Sequence, residues 1–102
     1  MYFKWREVEI QMGIDKEKLI QNMTDNLPML RTRLELTQEE LANKIGVSRS
    51  TIISIENKKR EMTWNTFLSL VLVFIKHEET NKLLNVLEIY TDDFNDFIKT
   101  RG

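Results

Sequence analysis

Apolar residues recur every three or four positions along most of the chain, a spacing that places them on one side of an α-helix. The clearest segment is residues 37–57, TQEELANKIGVSRSTIISIEN. Thr37 and Glu40 have the spacing of a capping box, which marks the start of a helix. Gly46 follows the last periodic residue of that helix and can adopt a positive φ at little cost. We therefore predict two short helices with a tight turn between them, over residues 38–45 and 49–56.

The two predicted helices divide their residues between a buried and an outward face. Their apolar positions point inward, and the small Ala42 lies where the two helices must approach closely. Ser48 can cap the second helix through its hydroxyl. This layout is typical of a helix-turn-helix, whose second helix presents polar side chains to the DNA major groove, although a helical hairpin that only packs has similar periodicity. The outward residues of the second helix are Arg49, Ser50, Ile53, Ser54 and Asn57.

The segment LTQEELANKIGVSRSTIISIENKKR resembles the Xre/Cro-type, lambda-repressor-like helix-turn-helix family, and the resemblance extends over residues 27–75. It implies an all-α fold, a lambda-repressor-like bundle of about five helices with N-terminal and C-terminal extensions. It also implies a homodimeric regulator that binds double-stranded DNA at a palindromic operator. Repression is the default mode of control, because a bound dimer would block polymerase. The positions that match phosphate-contacting or flanking positions of the family are Thr37, Gln38, Ser48, Asn57 and Lys59.

The outward side chains of the second helix suit contacts with base edges. Arg49 can form two hydrogen bonds with O6 and N7 of guanine, the commonest specific base contact. Ser50 and Ser54 can donate or accept at base edges, and Ile53 can touch a thymine methyl group. A phosphate contact is the alternative for Arg49, and a solvent-facing side chain without any contact is the alternative for Ile53.

The segment after the second helix is basic, with Lys58, Lys59 and Arg60 in succession. Three adjacent positive charges suit the phosphate backbone of DNA, and a solvated loop is the ordinary alternative. Proteins of the family usually have glycine at the position of Lys58. We therefore expect Asn57 or Lys58 to adopt the left-handed conformation at some cost, or the turn to differ.

Arg31 interrupts the apolar stripe of the helix that precedes the motif. In the family that the chain resembles, an arginine at this position pairs with a glutamate at the end of the recognition helix, which is Glu56 here. If the pair is shielded, removal of one partner should cost about 3–5 kcal/mol, because the other charge stays buried alone. An exposed Arg31 of little energetic value is the alternative.

The residues before the motif predict two helices. Asp15 can cap a short first helix, and residues 24–26 supply turn and cap chemistry after it. Pro28 is tolerated in the first turn of a helix, so we predict a second helix from about Asn26. The aromatic segment of residues 1–12 is expected to cover the end of the domain, with a dimer arm or a partner-binding segment as the alternative.

Three helices are predicted after the motif, over residues 64–77, over residues 81–90, and in a last segment capped by Thr91. They carry more apolar residues than so small a domain can bury on one side, so they cover either one another or a second subunit. We expect a homodimer formed through the region after Leu68. The chain is thus divided into an arm with a short helix, a DNA-binding domain and C-terminal helices for dimerisation or packing: residues 1–25, 26–77 and 78–102.

Charge is distributed unevenly along a chain whose net charge is −1. Residues 27–62 contain seven basic and five acidic residues, whereas residues 78–102 contain three basic and six acidic ones. A few phosphate contacts, and moderate salt sensitivity of DNA binding, follow from this distribution. The alternative function is an antitoxin-like or other protein-binding module, which engages a partner such as a toxin through the C-terminal helix or the N-terminal arm. A purely structural dimer without DNA binding is the third possibility.

No pattern in the sequence points to catalysis or to a cofactor. The chain has no cysteine and one histidine, His77, near the end of a predicted helix, where a surface or capping role is expected. Neither a glycine-rich phosphate loop nor a His-Glu metal spacing occurs. The longest apolar run, residues 70–75, is far too short to span a membrane. We expect a cytoplasmic, non-enzymatic protein without membrane segment, metal or cofactor.

Overall fold

The computed structural model describes residues 14–99, and this part of the chain contains six α-helices and no β-strand. The prediction of an all-α bundle is confirmed, and six helices are present in residues 14–99 where the sequence patterns predict seven, because one long helix replaces the first two. None of these helices has the length and apolarity needed to cross a membrane. The predicted arm of residues 1–12 lies outside the described residues. The helices are α1 (Lys16–Arg33), α2 (Gln38–Ile45), α3 (Arg49–Glu56), α4 (Trp64–Ile75), α5 (Glu78–Val86) and α6 (Asp92–Lys99).

The helix α1 replaces the two helices that were predicted before the motif. Asp15 caps it as expected, but the helix continues through residues 24–26 and through Pro28. The side chains of Thr24 and Asn26 do not stop the helix, because each donates to the carbonyl four residues earlier, at 2.8 Å. A continuous buried stripe on the same helix outweighs the local turn signals. The predicted boundary between residues 25 and 26 therefore falls inside a helix. The stripe consists of Leu19, Met23, Leu27 and Leu30.

The helices α2 and α3 begin and end where their capping residues predict. At the start of α2, Thr37 accepts the backbone N–H of Glu40 at 3.0 Å, and the Glu40 carboxylate accepts the N–H of Thr37 at 2.8 Å. At its end, Gly46 has φ +78°, and the N–H groups of Gly46 and Val47 both donate to the carbonyl of Ala42. This turn fixes the direction in which α3 leaves α2.

Three other helices end with a residue that is not glycine in the left-handed conformation. These residues are Glu35 after α1, Lys58 after α3 and Glu88 after α5, with φ of 57°, 60° and 58°. After α3, the N–H of Lys58 donates to Ile55 and that of Lys59 to Ser54, the two bonds of a Schellman motif. The expectation that Asn57 or Lys58 takes this conformation is confirmed for Lys58. The motif at Glu88 also ends α5 before residue 90, where it was predicted to end.

The start of α5 also differs from the prediction. The helix begins at Glu78 instead of near Asn81, and α4 ends at Ile75. Acidic residues in the first turn of α5 favour this start, because they face the positive end of the helix dipole. The buried hydroxyl of Thr80 donates to a carbonyl at the end of α4 and holds the two helices together. His77 is therefore the N-cap of α5 and does not lie in the last turn of α4.

The helix α4 supplies the centre of the core, and α6 packs against its first turn. Phe67 and Phe74 are fully buried. From α6, the buried ring of Phe94 lies edge-on to Phe67 and to Trp64, with centroids 5.6 and 5.9 Å apart. The ammonium group of Lys16 lies 5.0 Å from the Trp64 ring centroid. The first and last helices of the described chain thus meet at the start of α4.

Candidate nucleic-acid interface

The recognition helix candidate, α3, is anchored by one face and exposed on the other. Ile52 and Ile55 are buried in the core that α1, α2 and α4 share. Arg49 and Ser50, two predicted base-contacting residues, are exposed at the first turn. The other two predicted base-contacting residues, Ile53 and Ser54, are partly buried.

An ion pair ties the end of α3 to α1. Arg31 donates from Nε and Nη2 to the two carboxylate oxygens of Glu56, at 2.8 and 3.0 Å, and from Nη1 to the carbonyl of Leu36 at 2.9 Å. The side chains of Arg31 and Glu56 are 14% and 6% exposed, so the pair is shielded from water. Glu56 also accepts the amide of Gln38 at 3.0 Å. One carboxylate therefore joins α1, α2 and α3, and the predicted phosphate contact Gln38 is part of this network.

The hydroxyls that cap α2 and α3 both lie at the protein surface. Thr37 and Ser48 are both exposed, and each hydroxyl oxygen accepts a backbone N–H of its helix, from Glu40 and from Thr51. A hydroxyl that accepts a hydrogen bond retains its own proton for donation. Both residues, predicted as phosphate contacts, can therefore cap a helix and donate to an anion.

The basic loop after α3 is exposed from Asn57 to Arg60. Lys58 donates to the carboxylate of Asp25 in α1 at 2.9 Å, with side chains 62% and 43% exposed. This hydrogen bond lowers the pKa of the Asp25 carboxyl below its ordinary value of 3.8. Lys59 is also exposed. No pattern in the sequence pairs Asp25 with Lys58, because the two residues belong to different elements.

A chain of hydrogen bonds connects the basic loop with the first turn of α3. Arg60 donates from Nη1 to Thr51 Oγ1 at 2.8 Å. Thr51 Oγ1 lies 2.8 Å from Ser48 Oγ, which in turn lies 3.0 Å from Ser50 Oγ. Thr51 was absent from the predicted site residues, since nothing in the sequence indicates that a residue nine positions later bonds to it. Among residues 14–99, no group of three or more acidic or histidine side chains is arranged to hold a metal ion.

Comparisons with known proteins agree with this geometry. A family model described as helix-turn-helix matches residues 29–66, which extend from the end of α1 to the start of α4. A protein of Methanocaldococcus jannaschii, named as an uncharacterized HTH-type transcriptional regulator, is 38% identical over 72 residues, which are 70% of this chain and 98% of that protein. No solved structure matches the chain significantly.

Proposed function

Because this chain belongs to the Xre/Cro-type helix-turn-helix family, we propose that it is a transcription regulator that binds double-stranded DNA. The observation that carries the proposal is the outward face of α3, where Arg49 and Ser50 are exposed on a helix whose other face is buried. A helix held in this way can enter the major groove without rearrangement of the domain. The role is one of binding, and no catalytic group or cofactor takes part.

The proposed DNA contacts fall into two classes. The first turn of α3 meets base edges, with Arg49 directed at O6 and N7 of guanine and Ser50, Ile53 and Ser54 beside it. The second class positions the protein on the phosphate backbone without reading sequence. The proposed phosphate contacts are Thr37, Gln38, Ser48, Asn57, Lys58, Lys59 and Arg60.

We propose that the protein acts as a homodimer on an inverted-repeat operator. Support comes from large apolar side chains exposed on the last three helices, since exposed apolar groups of this size often mark interfaces. Leu72, Val86 and Ile98 are 64%, 75% and 50% exposed. In a two-fold dimer the two α3 helices would enter successive major grooves about 34 Å apart on one face of the duplex. Repression in the cytoplasm, by a dimer that blocks polymerase, is the proposed mode of control.

A protein-binding module is the second candidate function. It is supported by the same exposed Ile98, which lies on a helix whose exposed Asp92, Asp93 and Asp96 give it a negative surface. A basic partner such as a toxin would suit this surface. Co-purification of a small basic protein with the chain, at a fixed ratio, would favour this function over regulation by the dimer alone.

The proposed regulator is tested by selecting bound sequences from a random duplex pool at two salt concentrations. Recovery of an inverted repeat, with affinity that falls as salt rises, is the expected result. Recovery of no preferred sequence, at either salt concentration, would contradict the proposal. The mass of the complex by light scattering tests the dimer independently.

The role of Arg49 is tested on the selected operator with Arg49→Ala. If Arg49 contacts guanine, the variant should lose about 1–3 kcal/mol of discrimination at one base pair and keep its preferences elsewhere. Lys82→Ala, which removes an equal charge from an exposed position on α5, is the control and should leave the preferences unchanged. A uniform loss of affinity for all sequences would show that Arg49 contacts phosphate.

A further inference from the structure

We propose that Thr51 is a positioning residue for DNA recognition. It holds the guanidinium of Arg60 against the first turn of α3 and, through Ser48, makes the hydroxyl of Ser50 a hydrogen-bond donor towards DNA. This inference rests on the proposed function, because it assigns a finer role within the same surface. It adds Thr51 to the proposed interface and assigns a function to the hydrogen bond between Arg60 and the recognition helix α3.

Arg60 fixes the direction of the first link in the hydrogen-bond chain, and we assign the two hydroxyl–hydroxyl links so that each proton within the chain has an acceptor. Arg60 has only donors, so Thr51 Oγ1 must accept from it. Among residues 14–99, the acceptor within hydrogen-bond distance of the Thr51 hydroxyl proton is Ser48 Oγ, at 2.8 Å. Ser48 Oγ also accepts the backbone N–H of Thr51, which occupies its second lone pair. The proton of Ser48 is then donated to Ser50 Oγ at 3.0 Å, so in this inference Ser48 orients the Ser50 hydroxyl and does not itself donate to a phosphate.

The last member of the chain is left with a proton that points to DNA. Ser50 accepts from Ser48, and its own hydroxyl proton has no acceptor among the described residues. It therefore suits an acceptor in the major groove, such as O6 or N7 of guanine, N7 of adenine or O4 of thymine. The positive charge of Arg60 favours this direction of donation, since a cation polarises the hydroxyl that accepts from it and makes that hydroxyl a stronger donor.

The position of Arg60 also favours an anion from outside the chain. Its guanidinium is bonded in the first turn of α3, where the helix dipole is already positive. Within residues 14–99, no carboxylate forms an ion pair with Arg60. A DNA phosphate beside α3 would supply an anion that interacts with both the guanidinium and the helix N-terminus. The contact with Thr51 thus adds a side-chain link between the loop and the start of α3 to the backbone hydrogen bonds at the end of α3.

The test is a double-mutant cycle on the selected operator. Thr51→Val keeps the shape of the side chain and removes the hydroxyl, while Thr51→Ser keeps the hydroxyl. Binding of both variants is measured alone and combined with Arg60→Ala. Lys59→Ala is the matched control, because Lys59 is an exposed loop cation without a side-chain bond to α3. Thermal melting by circular dichroism separates loss of binding from loss of folding.

Thr51→Val is expected to weaken binding about tenfold, the size of one lost hydrogen bond to a charged group, and Thr51→Ser should restore most of the affinity. Combined with Arg60→Ala it should weaken binding little further, whereas with Lys59→Ala the two effects should multiply. Thr51→Val should also change preference at the same base pair as Ser50→Ala. Effects that multiply with both loop variants, or no effect of Thr51→Val, would overturn the inference and leave the proposed function intact. Failure of the unmodified protein to bind any duplex would instead refute the proposed function itself, and the inference with it.

Discussion

The turns before and after the recognition helix α3 are stabilised in different ways. Both reverse the chain through one residue in the left-handed conformation, Gly46 with φ +78° and Lys58 with φ +60°. The first turn is closed by two backbone hydrogen bonds to one carbonyl and uses a residue that adopts this φ freely. The second turn places a side-chain-bearing residue there, at a cost of about 1–2 kcal/mol.

Side-chain contacts around the second turn offset the cost of its backbone. Glu56, the last residue of α3, accepts from Arg31 and Gln38. Lys58 reaches Asp25, and Arg60 reaches back to Thr51. The comparison teaches that the turn before α3 relies on a glycine with a favourable backbone conformation, whereas the turn after α3 also relies on polar side-chain contacts between elements. Four substitutions, in order of decreasing effect, test this difference.

Glu56→Ala should have the largest effect, a loss of about 3–5 kcal/mol in the free energy of unfolding. It leaves the guanidinium of Arg31, whose side chain is 14% exposed, without its carboxylate. Urea denaturation followed by circular dichroism measures the change. Glu61→Ala removes an exposed carboxylate five residues later and should change stability by less than about 0.5 kcal/mol. Equal effects of the two variants would mean that the second turn does not depend on the ion pair.

Gly46→Ala should destabilise the protein by about 1–2 kcal/mol, through its backbone alone. A Cβ atom at this position would meet no other atom within 4 Å, so steric overlap with neighbours does not contribute. Gly46→Asn is the control, since asparagine tolerates a positive φ better than alanine and should lose less. The midpoint of urea unfolding compares the three proteins. A smaller loss for alanine than for asparagine would contradict this account of the first turn.

Lys58→Gly should stabilise the protein by about 0.5 kcal/mol. Relief of the left-handed conformation gains about 1–2 kcal/mol. The greater freedom of glycine in the unfolded chain offsets about 0.4–1 kcal/mol of this gain. Loss of the exposed contact with Asp25 offsets about 0.3 kcal/mol more. Lys58→Ala removes the same charge without relieving the backbone and should bring no gain. Thermal unfolding of both variants distinguishes the backbone term from the loss of the Asp25 contact, and a gain in the alanine variant would show that the contact is unfavourable.

Asp25→Asn should have the smallest effect, a loss of about 0.3 kcal/mol at neutral pH, because the pair with Lys58 is largely exposed to solvent. The folded pKa of Asp25 lies below 3.8, so the unfolded chain takes up its proton first as the pH falls. This stabilisation is present above about pH 3.8 and is lost as the pH falls through the lower folded pKa. The stability difference between the two proteins should therefore shrink at acid pH. A difference that grows with acid would contradict the assigned direction.

The sequence predicts the motif well because its signals are local. Capping residues lie within three positions of the groups that they cap, and glycine marks the first turn. The continuity of α1 was not predicted, because Thr24 and Asn26 are common turn residues. Only the buried stripe along the whole helix indicates that the helix continues through them. Left-handed ends at Glu35 and Glu88 carry no glycine and gave no signal. Contacts between elements, such as Arg60 with Thr51, depend on tertiary structure.

Arg31, Gln38 and Glu56 form a shielded hydrogen-bond network that joins α1, α2 and α3. The orientation of α3 is set by residues that take no part in the proposed reading of bases. Arg49 and Ser50 are exposed and contribute little to the core. Replacement of these two side chains by other residues should therefore redirect the protein to a new operator while its fold is preserved. DNA specificity can then diverge among related proteins through few substitutions.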